Sequence, residues 1–152
     1  MDDADARVAA RVVELLPGVA VNLRLVTLFD REEAKLTPQQ LLALLLLDSA
    51  PEGMLRTGTL AVSLDVSMPA VTALGDRLVN AGLCERVRGT DRRVVLLRLT
   101  ESGLSLMRKM SEDLAERVTS ILGPMDEQAR MSLVDALERV AAFAQAVGDA
   151  EA

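Results

Sequence analysis

The chain has 152 residues, 50% apolar and 26% charged, the length and composition of one globular domain or of one domain with added oligomerisation helices. It contains no His, Trp or Tyr and a single Cys, which excludes histidine–metal sites, Ser–His and Cys–His catalysis, cysteine-rich zinc sites and an intrachain disulfide. The net charge is −6, yet from Met54 to Arg98 seven arginines (56, 77, 86, 88, 92, 93, 98) face four acids (Asp65, Asp76, Glu85, Asp91), so that segment is +3 and the remainder −9. A basic island on an acidic body is what local phosphate contact requires, although a solvated charged hairpin has the same composition.

The N-terminus is acidic (Asp2, Asp3, Asp5) where a secretory signal is basic. The longest unbroken apolar stretch, Leu41 to Leu47, has seven residues, against the ~20 of a membrane span. A cytoplasmic protein without a membrane partner is expected. Helices are predicted over roughly 5–16 and 19–34, where Val8, Val12, Leu15 and Leu16, then Leu23, Val26, Leu28 and Phe29, recur at helical spacing. Pro17-Gly18 is expected to break or kink them. Thr37-Pro38-Gln39-Gln40 starts the next helix, with a capping Thr, a Pro at the first position and a Gln completing a capping box. Its Leu-rich run is apolar on every face, which predicts a central helix, ended by residues 49–53.

Two short helices, roughly 58–64 and 68–81, follow around a tight turn, and Ala81-Gly82 closes the second. Residues 83–88 and 94–99 read as strands joined at Gly89-Thr90-Asp91, a hairpin. Thr100 caps a long helix striped with Leu104, Met107, Met110, Leu114, Val118 and Ile121 and stopped by Gly123-Pro124. Asp126 caps the last helix, with one apolar row at Leu133, Val134, Leu137, Val140, Ala141, Ala144 and Val147 and a second at Ala129, Ala136 and Phe143. Two apolar rows on a terminal helix need two neighbours, and an obligate homodimer supplies them economically.

Helix, tight turn, helix and hairpin is the order of a winged helix-turn-helix. Leu60 and Leu64 share a face of the first short helix, with small Ala61 where two helices approach, and Val66 is the apolar plug of the turn. Ser67 caps the second helix, Pro69 sits in its first turn, and Val71, Leu74 and Leu78 face inward. Met68, Ala70, Thr72, Ala73, Asp76 and Arg77 are left on outer or flanking faces, where a recognition helix meets the major groove. The expected fold is mainly α, about six helices plus a β-hairpin wing, with N- and C-terminal dimerisation helices.

Asp91-Arg92-Arg93, five strand residues and then Leu99-Thr100-Glu101-Ser102-Gly103 resemble the D-x-R-x(5)-L-T-x-x-G signature of the multiple-antibiotic-resistance-regulator (MarR) family. Leu-x-Val-Ser-x-Pro-x-Val-Thr at 64–72, Leu-x-x-x-Gly-Leu at 78–83 and Leu36-Thr37-Pro38-Gln39-Gln40 are similar to the same family, over roughly residues 19–147. The resemblance implies a homodimeric transcription factor, usually a repressor, on a pseudo-palindromic operator in double-stranded DNA and often released by a small anionic or phenolic effector. It implies no enzyme activity and no cofactor. Residues 1–36 and 100–152 are then dimerisation helices and 37–99 the DNA-binding domain. The DNA-facing set is Ser67, Met68, Pro69, Thr72, Ala73, Asp76, Arg77, Arg88, Asp91, Arg92 and Arg93.

An Arg at a hairpin tip can enter the narrow, electronegative minor groove of A·T-rich DNA. An Asp two residues earlier can orient its planar guanidinium by charge-assisted hydrogen bonds. Arg93 is thus assigned to the minor groove, Asp91 to orienting it, and Arg92 to phosphate or a shared role. Asp91 and Arg93 pinning the β-turn is the structural alternative. Thr100 reads as a helix cap and Gly103 as a close-packing position.

Two residues depart from the family pattern. Asp65 holds a turn position commonly occupied by Gly, and Asp tolerates a left-handed backbone better than most residues. Ala73 stands where many relatives carry Arg or a similar long donor, while Arg77 is free to pair with Asp76 or a neighbouring acid. A winged-helix protein-interaction module with weak or no DNA binding is the alternative function that Ala73 and the net charge support. Cys84 reads as a buried core thiol and not a redox switch. The internal methionines read as core filling, with an adaptable ligand pocket as the alternative. Glu32-Glu33 and Glu112-Asp113 diverge on their helices, and nothing supports general acid–base catalysis.

Overall fold

A computed structural model of the chain describes residues 3–22, 36–88 and 94–150, with only the backbone at 3–5, 22 and 143–150. It divides into two compact units, residues 1–38 and 39–152. The first contains helix α1, Asp3–Asn22, which exposes Val8, Val12, Val13, Leu15, Leu16 and Val19. Of the break or kink expected at Pro17-Gly18, the break does not occur, and Pro17 lies inside one continuous helix. Proline there forfeits its own N–H bond to the carbonyl four residues back, that of Val13, which lies on an exposed stretch of the helix where solvent can satisfy it. The rest of the helix expected over 19–34 falls outside the described residues.

The second unit runs α2 (Pro38–Ser49), a 3-10 turn (Pro51–Gly53), β1 (Met54–Arg56), α3 (Thr57–Ser63), α4 (Met68–Asn80), β2 (Cys84–Arg88), β3 (Val95–Leu99), α5 (Glu101–Leu122) and α6 (Glu127–Ala150). The expected short helices and hairpin strands are present, on nearly the expected bounds. The hairpin has gained a third strand. The antiparallel order is β1-β3-β2, with Leu55 opposite Leu97 on one side and Arg86 opposite Leu97 on the other. Glu52 (φ 56) and Gly53 (φ 63), both left-handed, turn the chain into β1. Thr57 Oγ1 then donates to the Val95 carbonyl at 3.3 Å, tying the start of α3 to β3.

Leu44, Leu47, Leu60, Val71, Leu78 and Leu97 are the largest fully buried side chains, so α2, α3, α4 and β3 meet in one core. Helix α2 is less central than its uniform apolarity suggests. Leu41, Ala43, Leu44 and Leu47 are buried, whereas Leu42 and Leu45 on its other side are exposed. A helix apolar all round is buried only on the sides that other elements reach.

Both ends of the helix-turn-helix are closed by the same backbone device. After α3, Val66 N–H bonds the Ala61 carbonyl at 3.0 Å and Asp65 N–H the Val62 carbonyl at 3.1 Å, with Asp65 at φ 50. After α4, Leu83 N–H bonds the Leu78 carbonyl at 3.0 Å and Gly82 N–H the Val79 carbonyl at 2.9 Å, with Gly82 at φ 73. Each is a Schellman stop, which needs one left-handed residue just past the helix. Gly supplies it without strain and Asp supplies it at a small cost. The plug residue Val66 is only half-buried.

Thr100 caps α5 by accepting from Gly103 N–H at 3.1 Å, and its hydroxyl donates to the Gly82 carbonyl at 2.6 Å. Gly103, Leu106, Met107 and Met110 are buried. Farther along α5, Leu114 and Val118 are half-buried and Ile121 is exposed. Asp126 caps α6 by accepting from Ala129 N–H at 2.7 Å, and residues 131–142 of that helix are exposed throughout. The side chains expected farther along both apolar rows, Phe143, Ala144 and Val147, lie outside the described residues.

Gly103 and Gly58 should respond oppositely to alanine. A Cβ at Gly103 would fall on the Leu83 carbonyl oxygen, which already accepts from Thr100 N–H at 3.0 Å and cannot retreat without losing that bond. Gly103→Ala should cost about 1–3 kcal/mol of unfolding free energy. A Cβ at Gly58 in α3 meets nothing within 4 Å, so Gly58→Ala should gain about 0.4–1 kcal/mol. Urea unfolding followed by circular dichroism measures both.

Candidate nucleic-acid interface

Helix α4 packs on α3 and on β2. It buries Val71, Leu74, Gly75 and Leu78 and leaves Met68, Pro69, Ala70, Thr72, Ala73, Asp76 and Arg77 exposed. The sequence-assigned outer face is therefore the outer face. Its hydrogen-bonding capacity is partly committed to the helix itself. Ser67, the N-cap, accepts from Ala70 N–H at 3.4 Å. Thr72 Oγ1 donates to the Met68 carbonyl at 2.8 Å, which leaves that oxygen only its acceptor capacity and its methyl group for a base edge.

The arginines of the basic island fall into separate groups. Arg98 is held by Glu85 across β2 and β3, with Nη2 at 2.7 Å and Nε at 2.9 Å from the same carboxylate oxygen. Arg86 is held by Asp76 at 2.7 Å. Asp76 is thereby engaged by a strand residue and not by Arg77, the partner considered from sequence. Arg77 on α4, Arg88 at the end of β2 and Arg56 on β1 are exposed and pair with no acid among the described residues. Arg56 belongs to the basic island and to none of the sequence-assigned site residues, and the strand that carries it is only three residues long. Asp91, Arg92 and Arg93, at the hairpin tip, lie outside the described residues.

Those pairings change the local charge balance. With Asp76 and Glu85 each neutralised by a neighbouring arginine, Arg77 on α4 and Arg88 on β2 stand unopposed by any acid among the described residues. Exposed pairs of this kind contribute little to stability, about 0–1 kcal/mol, so their effect is on the field presented to a ligand.

Two other features lie near this surface. An open cleft lined by Gly58, Ala61, Val62, Asp65, Val66 and Met68 borders the turn between α3 and α4. It belongs to the helix-turn-helix itself. Cys84 is buried on β2, and burial pushes its thiol from 9.0 up to about 11. No cluster of potential metal ligands occurs among the described residues, and no single helix among them is long and apolar enough to cross a membrane.

The MarR family model matches residues 36–95, from just before α2 to the first residue of β3. None of the curated proteins matches the chain. Among solved structures, a Mycobacterium tuberculosis protein, RV1404, is 29% identical with a TM-score of 0.73, over 97% of this chain and 96% of its own. A MarR family protein from Bacillus stearothermophilus is 25% identical with a TM-score of 0.75, over 95% of this chain and 99% of its own. A MarR family transcriptional regulator from Streptomyces coelicolor, solved in complex with DNA, shares the fold at 19% identity and a TM-score of 0.63, over 93% of this chain and 91% of its own.

The buried thiol gives a direct check on the geometry of β2. The thiolate is the reactive form, and with its pKa raised to about 11 Cys84 should react with a disulfide reagent at pH 8 only as fast as the protein unfolds. Its raised pKa stabilises the protonated, folded form, so this contribution is complete below pH 9 and lost between pH 9 and about 11. Rapid stoichiometric labelling of the native protein at pH 8 would contradict the burial.

Proposed function

We propose, from the match of the MarR family model to residues 36–95 and the likeness to MarR family structures, that the protein is a homodimeric, DNA-binding transcriptional regulator of the cytoplasm, a repressor on a pseudo-palindromic operator, and not an enzyme. Helix α4 enters the major groove, and the wing reaches the adjacent minor groove through Arg93, with Asp91 orienting that side chain and Arg92 on the phosphates. The observation that carries this reading is the charge of the outer surface. Arg77 and Arg88 are exposed and unpaired by any acid among the described residues, while the nearby carboxylates of Asp76 and Glu85 are taken up by Arg86 and Arg98. An acidic chain thus offers phosphate a locally cationic face.

The homodimer is supported by the apolar surface that each unit leaves open. On α1, Val8, Val12 and Leu15 are 49–65% exposed, and on α6 Leu133, Val134, Leu137 and Val140 are 39–67% exposed. An isologous contact covers such surface on both copies at once. Residues 1–36 and 100–152 then serve dimerisation and 37–99 DNA binding. The two-fold places two α4 helices about one DNA turn, ~34 Å, apart. A small organic effector acting on the dimer completes the reading; the cleft beside the α3–α4 turn is not assigned to it. Ala73 and the methyl-bearing outer face of α4 favour a second reading, a winged-helix interaction module without DNA binding.

Gel shift across a salt series, on the DNA upstream of the protein's own gene, separates the two. Specific binding should fall steeply and linearly in log salt. Absence of any shift at low salt, from a folded dimer, selects the interaction module. Arg93→Ala should weaken operator binding by about 1–3 kcal/mol per site, at least about tenfold for a dimer, and blunt the preference for A·T-rich flanks. Arg77→Ala should instead weaken all sequences alike and reduce the salt slope by about 1 per subunit. Light scattering at micromolar concentration should report twice the mass of the chain, and a stable monomer would remove both the dimer and the palindromic operator.

A further inference from the structure

Arg86 departs from β2 and spans to α4, where Nη1 lies 2.7 Å from an Asp76 carboxylate oxygen and Nη2 lies 3.5 Å from the Thr72 carbonyl. The two acceptors are four residues apart, so one guanidinium fork touches a whole turn of the helix on the half that faces outward. Beneath it the backbone of α4 is brought close to the sheet at Gly75, where a Cβ would stand 3.0 Å from Leu97 Cδ1 and 3.8 Å from Arg86 Nη2. A larger residue at 75 would push the helix away and the fork off its acceptors. Arg86 also sits opposite Leu97 in the β2–β3 register. The same point of the sheet therefore supports the helix from below through Leu97 and holds it from the side through Arg86.

We propose that the Arg86–Asp76 pair is a positioning latch, which fixes the rotation of the recognition helix relative to the wing so that both meet one DNA site in register. Arg86 is then a positioning residue and not a phosphate contact, and Asp76 is its anchor and not a base reader. The proposal rests on the DNA-binding reading above. It is distinguished from simple electrostatics by sign. An acid on a DNA-facing helix repels phosphate, so its removal should strengthen binding. If the acid holds the helix in place, its removal weakens binding. The pair is half-exposed, with side-chain accessibilities of 40% and 52%, and such pairs contribute only about 0–1 kcal/mol to stability. The variants should therefore fold.

The test compares the parent dimer with Asp76→Asn, Asp76→Glu and Arg86→Gln by gel shift on a duplex selected from a random library by the parent, over a salt series. Amide hydrogen exchange of α4 is followed without DNA. Asp76→Asn and Arg86→Gln should each weaken binding about three- to tenfold, the reach of one exposed pair in each of two subunits. The parent's salt slope should persist, and exchange around residues 72–76 should accelerate. Asp76→Glu, which keeps the carboxylate, should recover most of the affinity. Tighter binding by Asp76→Asn, a salt slope reduced by about 1 per subunit in Arg86→Gln, or no gain of Asp76→Glu over Asp76→Asn would each overturn the latch. A folded parent dimer that selects no duplex overturns the DNA-binding reading and the latch with it. A binding parent with unmoved variants overturns the latch alone.

Discussion

Leu97 is the fixed point of the 39–152 unit. It is fully buried in the middle of β3, the strand that pairs with both β1 and β2, and the backbone of α4 comes down on it at Gly75. One residue earlier and one later on β3, Leu96 and Arg98 point to the opposite side of the pleat. The strand that seats α4 thus also carries the Arg98–Glu85 pair on its other face. Through Thr57 and the Val95 carbonyl, β3 holds the start of α3, and through Thr100 and Gly103 its end opens directly into α5. Because interiors are close-packed and resist even one added methylene, the placement of α3, α4 and α5 follows from this one strand.

The second organising feature is how a net charge of −6 coexists with a locally cationic surface. Net charge sets solubility and long-range steering, whereas contact is decided within a Debye length of about 8–10 Å. Within that range, the acids of the basic segment are not evenly placed. Asp76 and Glu85 are each spent on an arginine of β2 or β3. Asp65 is exposed at the stop that ends α3, at φ 50, and keeps its charge there. What remains exposed and unpaired by an acid among the described residues is Arg56, Arg77 and Arg88. The acidity of the chain is carried elsewhere.

Much of this was legible in the sequence because local chemistry specified it. Ser67, Thr100 and Asp126 announce helix starts, Gly82 announces a stop, and Asp65 announces a left-handed residue in the turn. The inward set Leu60, Val71, Leu74 and Leu78 follows from spacing alone. What escaped was decided by neighbours distant in the chain. The strand β1 has three residues, too few for alternation to register, and exists because β3 offers it an edge. Pro17 carries a strong local signal for a break that an exposed helix simply absorbs. The partner of Asp76 could not be found by spacing, since Arg86 reaches it from another element. The exposure of Leu42 and Leu45 depends on what covers α2 and not on its composition. At the hairpin tip the D-x-R resemblance still supplies the assignment of Asp91 and Arg93.

Hydroxyl-radical footprinting of the dimer on its selected duplex tests the placement of α4 most directly. Two protected half-sites on one face of the DNA are expected, centred about one helical turn apart, each flanked by protection across the neighbouring minor groove, where the proposed reading puts the wing. A single uninterrupted footprint, or protection without half-site spacing, would contradict a pair of α4 helices seated in successive major grooves.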